Sequence, residues 1–139
     1  LEKAEFVRFG VMHKNTYLNS PQLLDNHFRL RSNKRFYFAG QMTGVEGYVE
    51  SAASGIMAGL HAARELKGLP EVNFPAETAH GSLANYISNP AIENFQPMNI
   101  NFGLIPPLSV RIRKKKEKNA QIAARALEQL DAFLANLAI

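Results

Sequence analysis

Gly40, Gly44 and Gly47 lie between an aromatic run and a long stretch of small residues, and here the sequence speaks most directly of chemistry. The order reads strand, glycine-rich turn, helix. Glycine lets a main chain approach a ligand closely, and a first helical turn offers free N–H groups with a partial positive charge, suited to a phosphate or an electron-rich carbonyl. Two readings stand open: a cofactor site, or an ordinary strand–helix unit whose glycines only make a turn. The spacing is not GxGxxG and does not decide between them. Asn99 and Asn101 alternate on an extended stretch, so their amides are expected on one side, either to read a heterocycle edge or to satisfy buried backbone. Arg111, Arg113, Lys114, Lys115, Lys116 and Lys118 form a basic run that can grip RNA phosphates or serve as a solvated helix entrance. His13, flanked by Arg8, Lys14 and Asn15, has the near-neutral pKa of a proton shuttle, although a lone histidine is more often a surface or core residue. His27, His61 and His80 share no metal-ligand spacing with carboxylates, and no metal is expected.

The elements that must position these residues follow from pattern and punctuation. Phe6 to Met12 alternates like a strand, Asn15 to Pro21 reads as a turn or irregular crossing, and Phe28 to Arg31 reads as a second short strand. Arg35 to Ala39 is the strand entering the glycine turn, and it should be nearly fully buried at one end. A helix is expected from Gly47 or Tyr48 to Leu66, ended by Gly68 and Pro70. Glu46 and Glu50 at its start suit the dipole and read as capping rather than catalysis. Within it Ala52, Ala53, Gly55, Ala58, Gly59, Ala62 and Ala63 leave so little bulk that close packing against a sheet or cofactor is implied. Thr78 is the expected N-cap of a helix to about Tyr86, with Leu83, Tyr86 and Ile87 on one face. Residues 91–108 read as a long ordered loop with a short strand near Met98 to Phe102, packed over the sheet or a ligand. A last helix is expected from Asn119 to about Leu137, with Ile122, Ala126, Leu130, Phe133 and Leu137 as its apolar stripe and some freedom to swing.

Composition narrows the class. At 139 residues and 46% hydrophobic, the chain can bury a core. It has no cysteine, so disulfides and thiol chemistry cannot arise from it. No apolar run approaches bilayer length and no signal peptide is evident, so a soluble cytoplasmic protein without membrane contact is expected. A formal charge of +4 permits an RNA partner without requiring one.

The segment FAGQMTGVEGYVESAASGIMAG resembles the C-terminal flavin-binding segment of the two-dinucleotide-domain flavoproteins that modify tRNA. Arg8 to His13, Phe74 to Ala79 and Phe95 to Leu104 narrow the resemblance to the folate- and FAD-dependent tRNA uracil-5-methyltransferases. The match runs from about Phe6 to Leu108; the last thirty or so residues match only in character. It implies an α/β fold, the C-terminal part of a Rossmann-like FAD protein. Residues 1–33 would end a substrate-side sheet region, 34–108 would complete the FAD domain, and 109–139 would be a basic segment with an amphipathic helix.

The same resemblance implies FAD, methylenetetrahydrofolate and NADH or NADPH as cofactors, tRNA as partner, and methylation of the T-loop uridine at C5. Gly40 and Gln41 would lie by the ribityl chain and phosphates, while Gly44, Val45, Glu46 and Gly47 would line the approach to the isoalloxazine. Gln41 stands where many related flavoproteins carry aspartate, so it brings hydrogen bonds without charge. Tyr48 would stack on the flavin or shield its one-carbon adduct, His13 would move protons, and Asn99 and Asn101 would read a pterin or flavin edge. The N-terminal GxGxxG unit and the catalytic cysteines of such an enzyme are absent, as is an initial methionine. The expectation is therefore a C-terminal portion, inactive alone and prone to form a dimer or larger assembly through exposed apolar surface. Two alternatives remain: a non-catalytic RNA-binding or dimerisation domain, and the related wobble-uridine modification flavoprotein, whose extended C-terminal helical domain has no counterpart here.

Overall fold

The computed structural model describes Lys3, Glu5 and residues 16–137. Its helices are α1 (Ser20–Leu23), α2 (Tyr48–Leu66), α3 (Ala79–Ser88) and α4 (Lys115–Ala135), with a 3-10 turn at Gly40–Thr43. The expected Phe6–Met12 strand falls outside the described residues. The break expected around Pro21 is instead the one-turn α1, because proline's fixed φ and missing N–H suit the first helical positions where it stands.

The strands expected at Phe28–Arg31 and Arg35–Ala39 are not formed as ladders. Among the described residues they shrink to isolated antiparallel bridges, Leu24 with Leu30 and Arg29 with Tyr37. The cause is Phe28, whose φ of 64° breaks the extended run. Asp25 holds that turn by accepting the N–H groups of His27 and Arg29, both at 3.0 Å. In exchange the Phe28 ring enters the core at 1% exposure. With one short arm beside it, the Arg35–Ala39 segment is not deeply buried: Phe36 is 55% exposed and Tyr37, Phe38 and Ala39 are half-buried. The strand expected near Met98 is a single parallel bridge to Val45.

The helical expectations fare differently because their ends are set locally. α2 stops in a Schellman arrangement: the Leu69 N–H donates to Arg64 O and the Gly68 N–H to Glu65 O, at 2.9 and 3.0 Å. Thr78 caps α3, its Oγ1 accepting the Gly81 N–H at 3.0 Å. Leu83 and Ile87 are buried and Tyr86 is half-buried beside them. Together with Phe28, Val45, Met57, Ala58, Ala84 and Phe95 they form the core. α1 packs on α3, and α2 packs on the 3-10 turn and α3.

Loop 91–108 is fastened as its apolar character requires. The Phe95 ring lies 6.0 Å from Tyr17 and 5.5 Å from Tyr86. α4 is docked rather than free: Ile122 is 1% exposed, Phe133 lies 4.6 Å from Phe74, and Arg125 donates to the Pro107 carbonyl at 3.0 Å. It starts four residues before the expected Asn119, so three of the basic residues are helical. Among the described residues no helix is long and apolar enough to cross a membrane.

Candidate functional site

The glycine turn opens onto a hollow of about 330 Å³ lined by Gln41, Glu46, Gly47, Tyr48, Ser51 and Asn99. Gly47 is the N-cap of α2 with φ 91°, and no side chain caps the helix there. The first-turn N–H groups of Tyr48, Val49 and Glu50 therefore have no intrahelical acceptor and carry the positive end of the dipole. A Cβ on Gly47 would stand 2.1 Å from Glu50 Oε2 and 2.7 Å from Asn99 Nδ2. The missing side chain thus keeps the mouth open.

The turn is welded to the helix by side chains that the motif reading passed over. Ser54, 2% exposed, accepts the Gly40 N–H at 2.8 Å and donates to Ser51 O at 2.7 Å. Thr43 Oγ1 donates to Gly40 O at 2.7 Å, so both ends of that residue are held. Ser51 in turn donates to Val45 O at 3.3 Å. The only signal for these two serines was their hydroxyls, three residues apart, on a helix rich in small apolar residues.

Five of the expected cofactor-binding residues, Gln41, Glu46, Gly47, Tyr48 and Asn99, meet at this hollow. Tyr48 stands at its rim, 98% exposed. Gly40 lies behind it in the clamp just described. Gly44 and Val45 do not line it, which corrects their expected role. Val45 is fully buried in the core, and a Cβ on Gly44 would stand 2.4 Å from the Phe95 ring, so both are spent on packing. Asn101 does not share the direction of Asn99 either. Its Oδ1 accepts the Gly103 N–H at 2.9 Å and its Nδ2 donates to Asn99 O at 3.2 Å. The chain turns at 101–104, which breaks the alternation on which the pairing was expected. His13 lies outside the described residues.

Two carboxylates at the mouth, Glu46 and Glu50, oppose a further anion. The donor set favours a neutral heterocycle edge with both donors and acceptors: backbone N–H groups for a carbonyl, Gln41 and Asn99 amides for either, and Glu46 for a ring N–H.

Arg111, Arg113, Lys114, Lys115 and Lys116 are all exposed. Lys114 is paired with Glu117 at 3.1 Å. Lys115 and Lys116 occupy the first turn of α4, where cations oppose the helix dipole by a few tenths of a kcal/mol each. Helix stability does not account for them.

A second polar hollow, of about 350 Å³, lies at the far end of α2, where His27, Arg29, Tyr37, His61, Glu65 and Glu71 meet. Arg29 is held by Asp25 at 2.9 Å and Glu71 at 2.8 Å, and its guanidinium pulls the Glu71 carboxyl below the usual range. Burial, with a hydrogen bond to Glu65, pushes the Tyr37 phenol up to about 12. His27 Nε2 lies 2.9 Å from Asn73 Oδ1, to which it donates. The His61 ring sits 4.4 Å from that of His27, with its Nε2 buried and without a hydrogen-bond partner. Burial, then repulsion from His27, pushes His61 down to about 4. Among the described residues no group of His, Asp and Glu is placed to hold a metal ion.

That cluster predicts acid lability. A histidine whose pKa is lower folded than unfolded binds fewer protons when folded, so its contribution is complete above about 6.5 and is lost as pH falls toward about 4. Allowing for partial access to water, the loss is about 2 kcal/mol. Thermal melts from pH 7 to 4.5 should show it, and His61→Phe should flatten the dependence over that window. The acid response of Glu71, whose carboxyl Arg29 holds below the usual range, would survive the substitution. A wild-type melt with no pH dependence above 4.5 would count against this.

Residues 1–70 match the family model described as "Glucose inhibited division protein A". Curated relatives carry the name "Methylenetetrahydrofolate--tRNA-(uracil-5-)-methyltransferase TrmFO". That of Pelotomaculum thermopropionicum is 62% identical over 133 residues, covering 96% of this chain and 30% of its own length. That of Desulfitobacterium hafniense is 59% identical over 135 residues, with 97% and 31% covered, and that of Desulforudis audaxviator is 58% identical over 135 residues, with 96% and 31% covered. This chain therefore spans about a third of the length of the curated relatives it matches. The match to the family model takes in the glycine turn and the whole of α2, and on it the chain belongs to the glucose-inhibited division protein A family.

Proposed function

We propose that this chain supplies one wall of the flavin and folate site of a tRNA (uracil-5-)-methyltransferase. The observation that carries the reading is the hollow before the uncapped start of α2, where Gln41, Glu46, Gly47, Tyr48 and Asn99 meet. Its donors and acceptors fit the pyrimidine edge of an isoalloxazine, or a pterin, better than they fit a phosphate. When bound, FAD supplies the reducing electrons and carries the one-carbon unit given by methylenetetrahydrofolate, with NADH or NADPH as the source of reducing power.

The residues of this chain orient and enclose. The free N–H groups of Tyr48 and Val49 would hold a ring carbonyl at the positive end of α2 and favour negative charge on it. The Gln41 and Asn99 amides, which line the hollow, would hydrogen-bond to the edge of the ring. Glu46 accepts a ring N–H. The Tyr48 ring, exposed at the rim, would lie against a bound ring system and shield it from water. His13, with its near-neutral pKa, would serve as the proton carrier of the reaction. The rest of the Rossmann-like FAD domain, and the cysteine chemistry, belong to the part of the protein outside this chain.

The exposed run at Arg111, Arg113, Lys114, Lys115 and Lys116 binds the phosphates of the tRNA whose T-loop uridine is methylated. Its first-turn lysines, unfavourable for α4, support that reading. tRNA affinity of the full-length protein should fall steeply as salt is raised, and neutralising Lys115 and Lys116 together should lessen that slope by about 2. An unchanged slope removes the run from the interface. The reading as a whole is tested on the full-length protein by flavin absorbance and by T-loop uridine methylation dependent on methylenetetrahydrofolate. A purified full-length protein that holds no flavin and methylates no tRNA overturns it.

A further inference from the structure

The turn at 101–104 holds an aromatic ring out in water. Asn101 Oδ1 accepts the Gly103 N–H at 2.9 Å and Asn101 O accepts the Leu104 N–H at 3.1 Å, so the bend is fixed by its own hydrogen bonds. Phe102, at its tip, is 46% exposed. Beside the ring is an apolar hollow of about 520 Å³, which Ile100, Phe102 and Ile105 line from the loop and Ala123, Ala126 and Leu127 from α4. Arg125 donates to the Pro106 and Pro107 carbonyls and keeps the loop on the helix, so this chain alone holds the two walls together. A phenyl ring fixed in water forgoes the burial that ordinarily stabilises it.

We propose, on the reading that the chain serves a tRNA-modifying enzyme, that Phe102 and this hollow seat a nucleobase unstacked from the tRNA. Two neighbours of the hollow select that occupant. The first is charge: Lys116, Ala123 and Leu127 fall on one face of α4 at steps of seven and four residues. That face leads from the basic run to the apolar wall over about 10 Å. The second is the hollow at the glycine turn, lined by Asn99, the residue before Ile100. An RNA strand that lays its phosphates on the basic run therefore passes the Phe102 ring on its way to the glycine turn, and a base turned out of its stack can stack there. No charged residue lines the hollow, which suits a neutral base and not a further phosphate. Every base has a π-face, so the slot gives grip and direction rather than sequence preference.

The test is the tRNA affinity of the full-length protein, measured with an unmodified transcript over a range of salt. Phe102→Ala should weaken binding by about tenfold at every salt concentration and leave the salt slope unchanged, since stacking releases no counterions. Phe102→Trp should bind at least as tightly as wild type, while Phe102→Leu, apolar but without a π-face, should weaken binding nearly as much as alanine. Should Phe102→Ala fail to fold, the contrast between tryptophan and leucine carries the test. Transcripts made abasic at one T-loop position at a time should include one that loses the same tenfold against wild type and nothing more against Phe102→Ala. Unchanged affinity for Phe102→Ala overturns the proposal. So does full binding by Phe102→Leu, which would make the ring a packing residue. So does a loss confined to the KM for methylenetetrahydrofolate, which would give the hollow to a folate ring. Wild-type full-length protein that binds no tRNA overturns the proposed function together with this inference, whereas wild type that binds tRNA and is indifferent to Phe102 overturns this inference alone.

Discussion

Replacing Gly81 with alanine is expected to destabilise the chain by about 3 kcal/mol or more. The added Cβ would stand 2.1 Å from Pro75 O and 2.5 Å from Phe74 O. Both are backbone atoms, and neither can swing aside as a side-chain tip can. Pro75 O also accepts the Thr78 N–H at 2.9 Å and its hydroxyl at 2.7 Å, so yielding would undo the capped start of α3. Alanine's better helix propensity returns about 1 kcal/mol, too little to offset the clash. Urea or thermal denaturation of Gly81→Ala beside wild type measures it. A loss below about 1 kcal/mol would show that the 74–75 segment shifts freely.

Gly47→Asp is expected to strip the flavin from the full-length protein while leaving its fold largely standing. Here the atoms nearest the new Cβ are side-chain tips, Glu50 Oε2 and Asn99 Nδ2, which can rotate away. The φ of 91° strains any L side chain, at a cost of about 1–3 kcal/mol. The larger consequence falls on the hollow: a third carboxylate joins Glu46 and Glu50 at its mouth, and the new side chain occupies the space that glycine leaves open. Flavin content and methylation should each fall by about tenfold or more. Gly47→Ala separates the two causes, because it keeps the backbone strain without the charge and should retain more flavin than Gly47→Asp. Should Gly47→Asp purify with full flavin content and normal methylation, the hollow is not the cofactor site.

Much of the helical frame was legible because its signals lie within a few residues of what they control. Gly68 ends α2 and Thr78 begins α3 through hydrogen bonds spanning no more than five positions. The stripe on α4 was legible for the same reason, since Ile122, Ala126, Leu130 and Phe133 follow helical spacing and are buried or half-buried. The start of α4 was misplaced because consecutive lysines give no stop or start signal, and Lys114 takes the N-cap position without a capping hydrogen bond from its side chain.

The candidate site was legible in part. The glycines marked its place, and five expected residues meet there, but which of them face the hollow was not written in the spacing. Gly44 and Val45 looked like their neighbours in sequence, and the ring of Phe95, some fifty residues away, claimed that side of the turn. Asn99 and Asn101 were paired by a period of two that fails once the chain turns at Asn101. Ser54 escaped notice because one buried hydroxyl on a helix has meaning only when its acceptor and donor are known.

By itself the sequence determined where α2 ends and where α3 begins, that a glycine turn precedes the longest apolar helix, and which family the chain resembles. Each of these is carried by neighbouring residues or by a contiguous motif. Tertiary structure alone decided that the strands shrink to single bridges, that Phe28 takes a positive φ, and that α2 turns one face to the core and leaves the other open. Strand pairing and side-chain facing depend on partners distant in the chain, some of them beyond the part present here, and no local pattern encodes a contact whose other half lies elsewhere.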